Sequence, residues 1–304
     1  MSVLVFGSLN LDLVAYADLL PTLGQTVTGE KLIRFPGGKG LNQAIAAKRA
    51  GAQVLMVGAI GSDSEGDFLS QVLKSEGINS GFINQVTTQT GVAVIEVAKD
   101  AQNRILIIPG ANALVRFKAE YLINAGTPKV CLAQLETPIT EVEKFIVSAK
   151  AAGAITILNP APIQSLNPAI AASCDYLVVN ETESSYLVGT PSERLSKEEA
   201  IAIGKQLLGK GFNQIIITLA ENGSIFIDHN RQIYTPAFKV SALDTTAAGD
   251  AFCGAFATAL SEDNSIEYAL KFASAAGALA ATKAGAVPSL PNSQEILSLI
   301  ASVQ

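Results

Sequence analysis

Three short runs of small and polar residues have the composition of a site that binds hydroxyl groups and a phosphate. The first is Ser8–Asp12, in which Asn10 and Asp12 stand two apart and so share one side of an extended chain. We predict a buried strand over Val3–Gly7, and ligands of open α/β sheets bind just beyond such strands. An amide and a carboxylate there can bind adjacent hydroxyls, although the run alone is equally compatible with a polar loop.

The second run, Gly37–Ala44, places consecutive glycines before a helix that we predict over Lys39–Ala50. Glycine permits close approach of a ligand to the backbone, and free N–H groups at a helix start favour oxygen-rich or anionic ligands. An ordinary tight turn would have the same glycines. Lys39 and Asn42 lie three apart on one helical face beside them, which favours a binding site.

The third run, Asp244–Phe252, contains an acid that opens an apolar helix, and a helix N-cap would explain an acid there. Alternatively, the backbone N–H groups of Ala247, Ala248, Gly249 and Asp250 could cradle a phosphate. The Asp250 carboxylate would then take a proton from an attacking hydroxyl. Phosphoryl transfer needs both functions, namely charge stabilisation and a base that positions the nucleophile.

Other catalytic signatures are absent from the sequence. It contains neither G-x-x-x-x-G-K-[ST] nor a G-x-G-x-x-G after a strand, which argues against Walker-type ATPases and Rossmann dehydrogenases. The single histidine, His229, stands in a polar turn and is predicted to be an exposed loop residue, so a Ser–His–Asp hydrolase is not expected. Cys131, Cys174 and Cys253 are odd in number and widely spaced, which predicts neither disulfides nor a zinc site.

Composition narrows the classes of partner. The 304 residues include 21 Lys and Arg against 27 Asp and Glu, a formal net charge of −6, which argues against nucleic-acid binding. The most apolar run, Phe272–Thr282, is shorter than the ~20 residues of a membrane span, so we predict a buried helix there. No basic, apolar signal peptide is visible, and the cysteine pattern suits a reducing compartment. We therefore expect a cytoplasmic protein.

Short apolar segments alternate with helical patterns along the chain, which predicts a doubly wound, mostly parallel α/β sheet flanked by helices. The predicted strands are Val3–Gly7, Val54–Ala59, Val130–Gln134, Ile155–Leu158, Tyr176–Val179 and Ile215–Leu219. The predicted helices are Lys39–Ala50, Glu65–Glu76, Thr140–Ala152, Glu198–Gly209, Gly249–Leu260, Ile266–Thr282 and Gln294–Ala301.

Two segments interrupt this alternation, since neither has a crossover helix beside it. Thr26–Phe35 is predicted to be a strand, and Gly91–Ala98 with Asn103–Ile108 to form a hairpin. Either they extend the main sheet in antiparallel fashion, or they form a small β-sheet lid over a site at its edge.

The three runs, with Gly110–Asn112, Gln134–Glu136, Asn159–Pro162 and Asn180–Glu183, resemble in order the signatures of the ribokinase-like sugar kinases. The resemblance covers essentially the whole chain. It implies one α/β kinase domain over residues 1–304, with lid excursions at about 13–36 and 88–110. The implied activity is ATP-dependent phosphorylation of the 5-hydroxyl of D-ribose. Deoxyribose, a nucleoside or another small sugar is the alternative, and a non-catalytic sugar-binding module would have no need of Asp250 and Gly249.

The resemblance also implies a role for individual residues. The sugar would be held by Asn10, Asp12, Gly38, Lys39, Asn42, Glu136 and Asp250, with Asp250 as catalytic base and an anion hole at Ala247, Ala248 and Gly249. The ATP site would include Asn180, Thr218, Ala220, Gly223, Gly249 and Ser274. At the nucleotide loop the chain departs from the family pattern, because Ala220 stands where glycine is common and Glu221 adds a negative charge.

Metal ions and a second subunit are implied in the same way. Glu183 would organise Mg²⁺ through water. A monovalent cation, usually K⁺, would lie among Asp244, Thr246, Ala280, Lys283, Gly285 and Ser289. The lid is expected to pair with that of a second copy in a homodimer, burying Val92, Val94 and Ile107.

Overall fold

A computed structural model describes residues 2–100 and 102–303, and two sheets organise them. The large sheet has nine strands: β1 (Ser2–Phe6), β4 (Gln53–Gly61), β5 (Asn79–Val86), β8 (Val130–Ala133), β9 (Ile155–Leu158), β10 (Tyr176–Asn180), β11 (Gln214–Thr218), β12 (Ser224–Ile227) and β13 (Gln232–Thr235). Their order is β13-β12-β11-β10-β9-β8-β1-β4-β5, and all neighbours from β11 to β5 are parallel. At the other end of this sheet, β12 pairs antiparallel with both β11 and β13.

Helices cover both faces of this sheet. They are α1 (Lys39–Ala50), α2 (Ser64–Ser75), α3 (Glu120–Asn124), α4 (Ile139–Ala151), α5 (Pro168–Ser173), α6 (Glu181–Val188), α7 (Lys197–Gly209), α8 (Ala248–Ser261), α9 (Ile266–Ala280), α10 (Ala286–Ser289) and α11 (Ser293–Ser302). Side chains of β1 alternate between two apolar cores, because successive residues of a strand point to opposite faces. Val3 and Val5 join one core, and Leu4 and Phe6 join the other.

The predicted α/β class, with a mostly parallel sheet between helices, is therefore confirmed. Every predicted helix is present to within two residues at each end, and the apolar run from Phe272 lies in the buried part of α9. No helix within residues 2–100 and 102–303 is both long and apolar enough to cross a membrane.

The small sheet is separate from the large one, so extension of the main sheet was the wrong alternative. It contains β2 (Asn10–Ala17), β3 (Lys31–Gly37), β6 (Gly91–Ala98) and β7 (Asn103–Ile108), in the order β3-β2-β6-β7. The predicted hairpin pairs antiparallel as β6 and β7. Its connection includes Ala101, which lies outside the described residues.

The strand predicted over Thr26–Phe35 begins too early. In the structure it starts at Lys31, which pairs with Tyr16 near the end of β2. Residues 26–30 belong to no strand, although the Glu30 N–H still donates to the Tyr16 carbonyl at 2.7 Å. Strands β2, β5, β12 and β13 were not predicted as strands.

Cross-strand pairing assigns residues of the small sheet to its two faces. Asp12 pairs with Ala93, which pairs with Ile107, so these three residues share one face. Val92 and Val94 alternate with Ala93 and lie on the opposite face. The three apolar positions grouped in the sequence analysis are therefore divided between the faces.

Helices α1 and α8 approach each other unusually closely at Gly254. A β-carbon at this position would lie 2.6 Å from Ala46 Cβ and 2.7 Å from the Gln43 carbonyl oxygen. Because real β-carbons do not approach other atoms this closely, the two backbones can pack at this separation only with glycine at position 254.

We expect Gly254→Ala to lower the free energy of unfolding by about 1–3 kcal/mol, because the added methyl group must push α1 away from α8. Urea denaturation followed by circular dichroism measures the change. Gly209→Ala is the matched control, since a β-carbon on this exposed residue of α7 meets nothing within 4 Å. It should leave stability unchanged or raise it by up to about 1 kcal/mol. Equal stabilities for the two variants would contradict close helix packing.

Candidate active site

Asp250 occupies the first turn of α8, where its buried carboxylate accepts two hydrogen bonds from side chains of α1. Asn42 Nδ2 donates to one carboxylate oxygen at 2.9 Å, and Gln43 Nε2 donates to the other at 2.9 Å. Both donors are neutral amides, which stabilise an ionised carboxylate without neutralising it. The group can therefore accept a proton.

Glu136 follows β8 and lies between the β1 end and the start of α1. Its carboxylate accepts from the Ser8 hydroxyl at 2.6 Å and from the Lys39 backbone N–H at 3.0 Å. The Ser8 hydroxyl also accepts from the Gly40 N–H at 3.3 Å. These bonds join the loop after β1, the glycine-rich loop and the segment after β8 at one edge of the large sheet, as expected of a ligand site in this fold class.

Asn10 and Asp12 begin β2, at the end of the small sheet that meets this edge. Asn10 Oδ1 accepts from Asn112 Nδ2 at 2.7 Å, and the Asn112 amide also bonds the backbone of Leu9. Since the Asn10 oxygen is occupied, its NH₂ group is left to donate. Asp12 is buried against Gly37, whose lack of a side chain makes room for the carboxylate.

Burial, together with the nearby charges of Glu136 and Asp250, raises the pKa of Asp12 to about 7. The carboxyl is thus close to half ionised near neutral pH. A ligand that donates hydrogen bonds to it favours the charged form.

Lys39 and Glu183 complete a group of charges around Asp250. Burial lowers the pKa of the Lys39 ammonium, but Asp250, Glu136 and Glu183 raise it more strongly, so Lys39 stays charged. Burial also raises the pKa of Glu183, and Asp250 adds to this, while bonds from Asn180 and the Lys39 charge oppose it. Glu183 accepts from the Asn180 N–H at 2.9 Å in the capping box of α6.

The start of α8 presents free backbone N–H donors beside the Asp250 carboxylate. Within the described part of the chain, the N–H groups of Gly249 and Asp250 donate to no other group, whereas that of Ala248 donates to the Thr245 carbonyl at 3.1 Å. A β-carbon on Gly249 would face open space. The Ala247 N–H likewise donates to no group among the described residues, so three of the four N–H groups predicted for the cradle are free at an open helix N-terminus, which attracts anions.

Four of the six residues predicted to bind the nucleotide lie at the ends of β10 and β11 and in the loop that follows β11. Asn180 ends β10 and caps α6, and the Thr218 hydroxyl at the end of β11 donates to the Val179 carbonyl at 3.4 Å. Ala220 has a φ of 46°, a left-handed conformation that costs energy for a residue with a β-carbon. Gly223 follows with a φ of 93°.

Two further features concern this region. Glu221 forms an exposed ion pair with Arg194 at 2.5 Å, so its negative charge is compensated locally. The Ser274 hydroxyl on α9 is buried and has no hydrogen-bond partner among the described residues. Burying an unpaired hydroxyl is costly, which makes it a candidate ligand contact.

Some of the residues predicted for a monovalent cation meet around Asp244. Its carboxylate accepts from the Thr246 N–H at 3.0 Å, the Thr246 hydroxyl at 2.5 Å and the Gly285 N–H at 2.8 Å. The Ser289 hydroxyl instead donates to the Ala286 carbonyl at 2.7 Å. The Ala280 carbonyl accepts from the Lys283 N–H at 3.3 Å, and the Lys283 ammonium pairs with Glu295 at 2.9 Å.

Five buried or half-buried polar residues that hold the site together were not predicted as site residues: Ser8, Gln43, Asn112, Gln134 and Asn159. All of them stand in the quoted motifs, so their position in a motif was an available signal. Outside the site, His229 is exposed in a turn, as predicted. All three cysteines are free and buried.

Comparison with known proteins agrees with this geometry. A model of the pfkB family of carbohydrate kinases matches residues 1–293. A ribokinase of Haemophilus influenzae is 37% identical over 302 residues, covering 97% of each chain. A deoxyribokinase of Salmonella typhi is 36% identical over 308 residues, covering 98% of this chain and 99% of that one. The solved structure of Arabidopsis thaliana ribokinase complexed with ribose and ATP has a TM-score of 0.90 at 30% identity, covering 98% of each chain.

A buried acceptor carboxylate at an open helix start, polar amide and carboxyl groups near it and similarity over nearly the full length support one conclusion. The chain belongs to the pfkB family of carbohydrate kinases and is a phosphotransferase that acts on a sugar hydroxyl.

Proposed function

We propose that this kinase transfers the γ-phosphate of ATP to the 5-hydroxyl of D-ribose, giving D-ribose 5-phosphate and ADP. The observation that carries the proposal is the buried Asp250 carboxylate, which accepts bonds from two amides beside free N–H groups of α8. The similarity to a ribokinase and to a ribose and ATP complex supports the choice of substrates.

Asp250 would accept the proton of the sugar hydroxyl as its oxygen bonds to the γ-phosphorus and the bond to the ADP oxygen breaks. The N–H groups of Gly249 and Asp250 would stabilise negative charge on the transferred group without reorganising during the reaction. Asn10, Asp12, Asn42, Gly38, Lys39 and Glu136 would hold the remaining sugar hydroxyls.

The residues of the site suit Mg²⁺ only with help from substrate and water. Within residues 2–100 and 102–303, no three His, Cys, Asp or Glu side chains cluster as a metal site. Mg²⁺ commonly binds through one or two carboxylates, phosphates and waters, and Glu183 is the carboxylate available near Asp250. When bound, Mg²⁺ would neutralise phosphate charge. K⁺ would lie near Asp244, where backbone carbonyls supplement a single carboxylate.

A deoxyribose kinase is the second candidate, because a deoxyribokinase is 36% identical over almost the same length. The two sugars differ in one hydroxyl group, so a site specific for ribose must form hydrogen bonds with that group. Asn10 and Asp12 offer a donor and an acceptor suited to adjacent hydroxyls, which favours ribose. A site whose polar groups are left unpaired by the deoxy sugar discriminates against it.

A coupled assay of ADP release tests this function over pentoses, hexoses and nucleosides, with and without K⁺. We expect the highest kcat/KM with D-ribose, and Asp250→Asn should lower kcat about 10²–10⁴-fold, because proton transfer to a base contributes that much. Sugar binding to the variant, measured by calorimetry, should largely survive. Near-normal turnover of Asp250→Asn would refute the assigned base, and preference for deoxyribose would select the second candidate.

The raised pKa of Asp12 predicts that sugar affinity depends on pH. The carboxylate form accepts sugar hydroxyls, and it is the minor form below pH 7 and the major form above. The KM for D-ribose should therefore fall about tenfold from pH 6 to pH 8, because apparent affinity follows the competent fraction. Asp12→Asn should bind ribose more weakly with a KM that no longer follows this titration. The same pH dependence in both proteins would place the titrating group elsewhere.

We also infer a homodimer that covers the small sheet. Strand β7 lies at the edge of the sheet, and Ile105 and Leu106 on its two faces are 54% and 65% exposed. An exposed apolar edge strand is a template for association with another chain.

Light scattering tests this homodimer and should give about twice the 31.6 kDa chain mass. Leu106→Glu should shift the protein to monomer, whereas Leu297→Glu, at a 48% exposed leucine of α11, should not. A wild-type monomer would refute the inference.

A further inference from the structure

We propose that Gln43 is a positioning residue for the catalytic base. Its side chain is fully buried and donates through Nε2 to Asp250 Oδ1 at 2.9 Å. The inference rests on the proposed role of Asp250 as the base. It adds a residue that would not touch the sugar and would act through the carboxylate alone.

The orientation of the Gln43 amide is set by a chain of hydrogen bonds. Asn159 Nδ2 donates to the Val178 carbonyl at 3.0 Å, which turns Asn159 Oδ1 towards Gln43 Nε2 at 3.1 Å. On the other side, Gln134 Nε2 donates to Gln43 Oε1 at 2.6 Å. Because its oxygen already has a partner and its NH₂ group has an acceptor, Gln43 can present only an N–H to Asp250.

This chain connects the base to the rigid centre of the large sheet. Gln134 follows β8, Asn159 follows β9, and Val178 lies within β10, all buried strands of the parallel region. An amide on a rigid support holds a carboxylate in one rotamer more firmly than a loop does. Asp250 Oδ1 is thereby fixed. The other oxygen, Oδ2, which also accepts from Asn42, is then the one that would accept the proton.

Charges of both signs surround Asp250. Asp12 on β2 and Glu183 on α6 repel its charge, Cys253 lies one turn further along α8, and Lys39 on α1 supplies the attractive charge. Two N–H donors add stabilisation of the ionised form that does not depend on those groups.

Asn42 provides a contrast on the same carboxylate. Its Nδ2 donates to Asp250 Oδ2 at 2.9 Å, but its Oδ1 is buried with no partner in the described part of the chain. Asn42 therefore retains an acceptor for a sugar hydroxyl, whereas both ends of the Gln43 amide are occupied. Loss of Asn42 should affect both the KM for the sugar and kcat, whereas loss of Gln43 should affect kcat alone.

A double-mutant cycle between Gln43→Met and Asp250→Asn tests the proposal. Methionine keeps the length of the side chain and removes the donor. In the wild-type background we expect kcat to fall about ten- to hundredfold with the KM for D-ribose within about threefold, since a hydrogen bond to a charged group is worth that factor. In the Asp250→Asn background, Gln43→Met should change kcat less than threefold, because its effect passes through the carboxylate.

Thr258→Val is the matched control, since Thr258 is a buried α8 residue whose hydroxyl donates to the Ala47 carbonyl of α1 at 3.0 Å. It should lower the melting temperature without changing kcat. If Gln43→Met does not fold, Gln43→Glu keeps the size and the bond from Gln134 and should lower kcat at least as much. Equal factors in both backgrounds, or unchanged kcat for Gln43→Met, would overturn the proposal. Near-normal turnover of Asp250→Asn alone would instead refute the assigned base.

Discussion

The close packing of α1 against α8 at Gly254 is the constraint on which the site depends. Residues 42 and 43 can reach Asp250 with short amide side chains only because no side chain separates the two helix backbones. The two amide side chains and Asp250 are about two hundred positions apart in the sequence, so tertiary packing alone brings them together. Gly254 therefore matters to the site although it does not contact the Asp250 carboxylate, since small displacements of catalytic groups are costly.

The side chains of the site carry an excess of negative charge, as the whole protein does. Glu136, Glu183 and Asp250 surround one ammonium group, Lys39, and Asp12 lies near Glu136 and Asp250, so an isolated anion entering the site would meet net repulsion. Backbone N–H groups of α8 offset this for phosphate, because their partial charges come from the fold and not from basic side chains. The net charge of −6 is therefore compatible with a nucleotide substrate, although it argues against nucleic acids.

The sequence patterns predicted the longer helices correctly, because the start and end of a helix depend on residues close by in the sequence. Helix α1 begins at Lys39 as predicted, because the preceding Gly38 has a φ of 89° and interrupts the strand. Strands such as β5 escaped prediction because their polar alternation is weak, and they are strands through pairing with β4. The motif predicted Asn42 and Asp250, whereas Gln43 and Asn159 gain their roles from hydrogen bonds between distant elements. No local pattern specifies such bonds.

The small sheet is held to the body mainly at the end that carries Asn10 and Asp12. There Asp63 accepts from the Thr90 N–H at 2.7 Å and its hydroxyl at 2.6 Å, and Asn112 clamps Asn10 and Leu9. Further out, the ion pair of Arg34 with Glu65 is largely exposed, and such pairs contribute little. Among these contacts, attachment is therefore strongest at the end that carries Asn10 and Asp12, the groups that we propose to bind the sugar. The proposed sugar-binding groups thus lie at the firmly attached end of the sheet, whereas the exposed apolar residues of the edge strand β7 offer the surface for the proposed dimer.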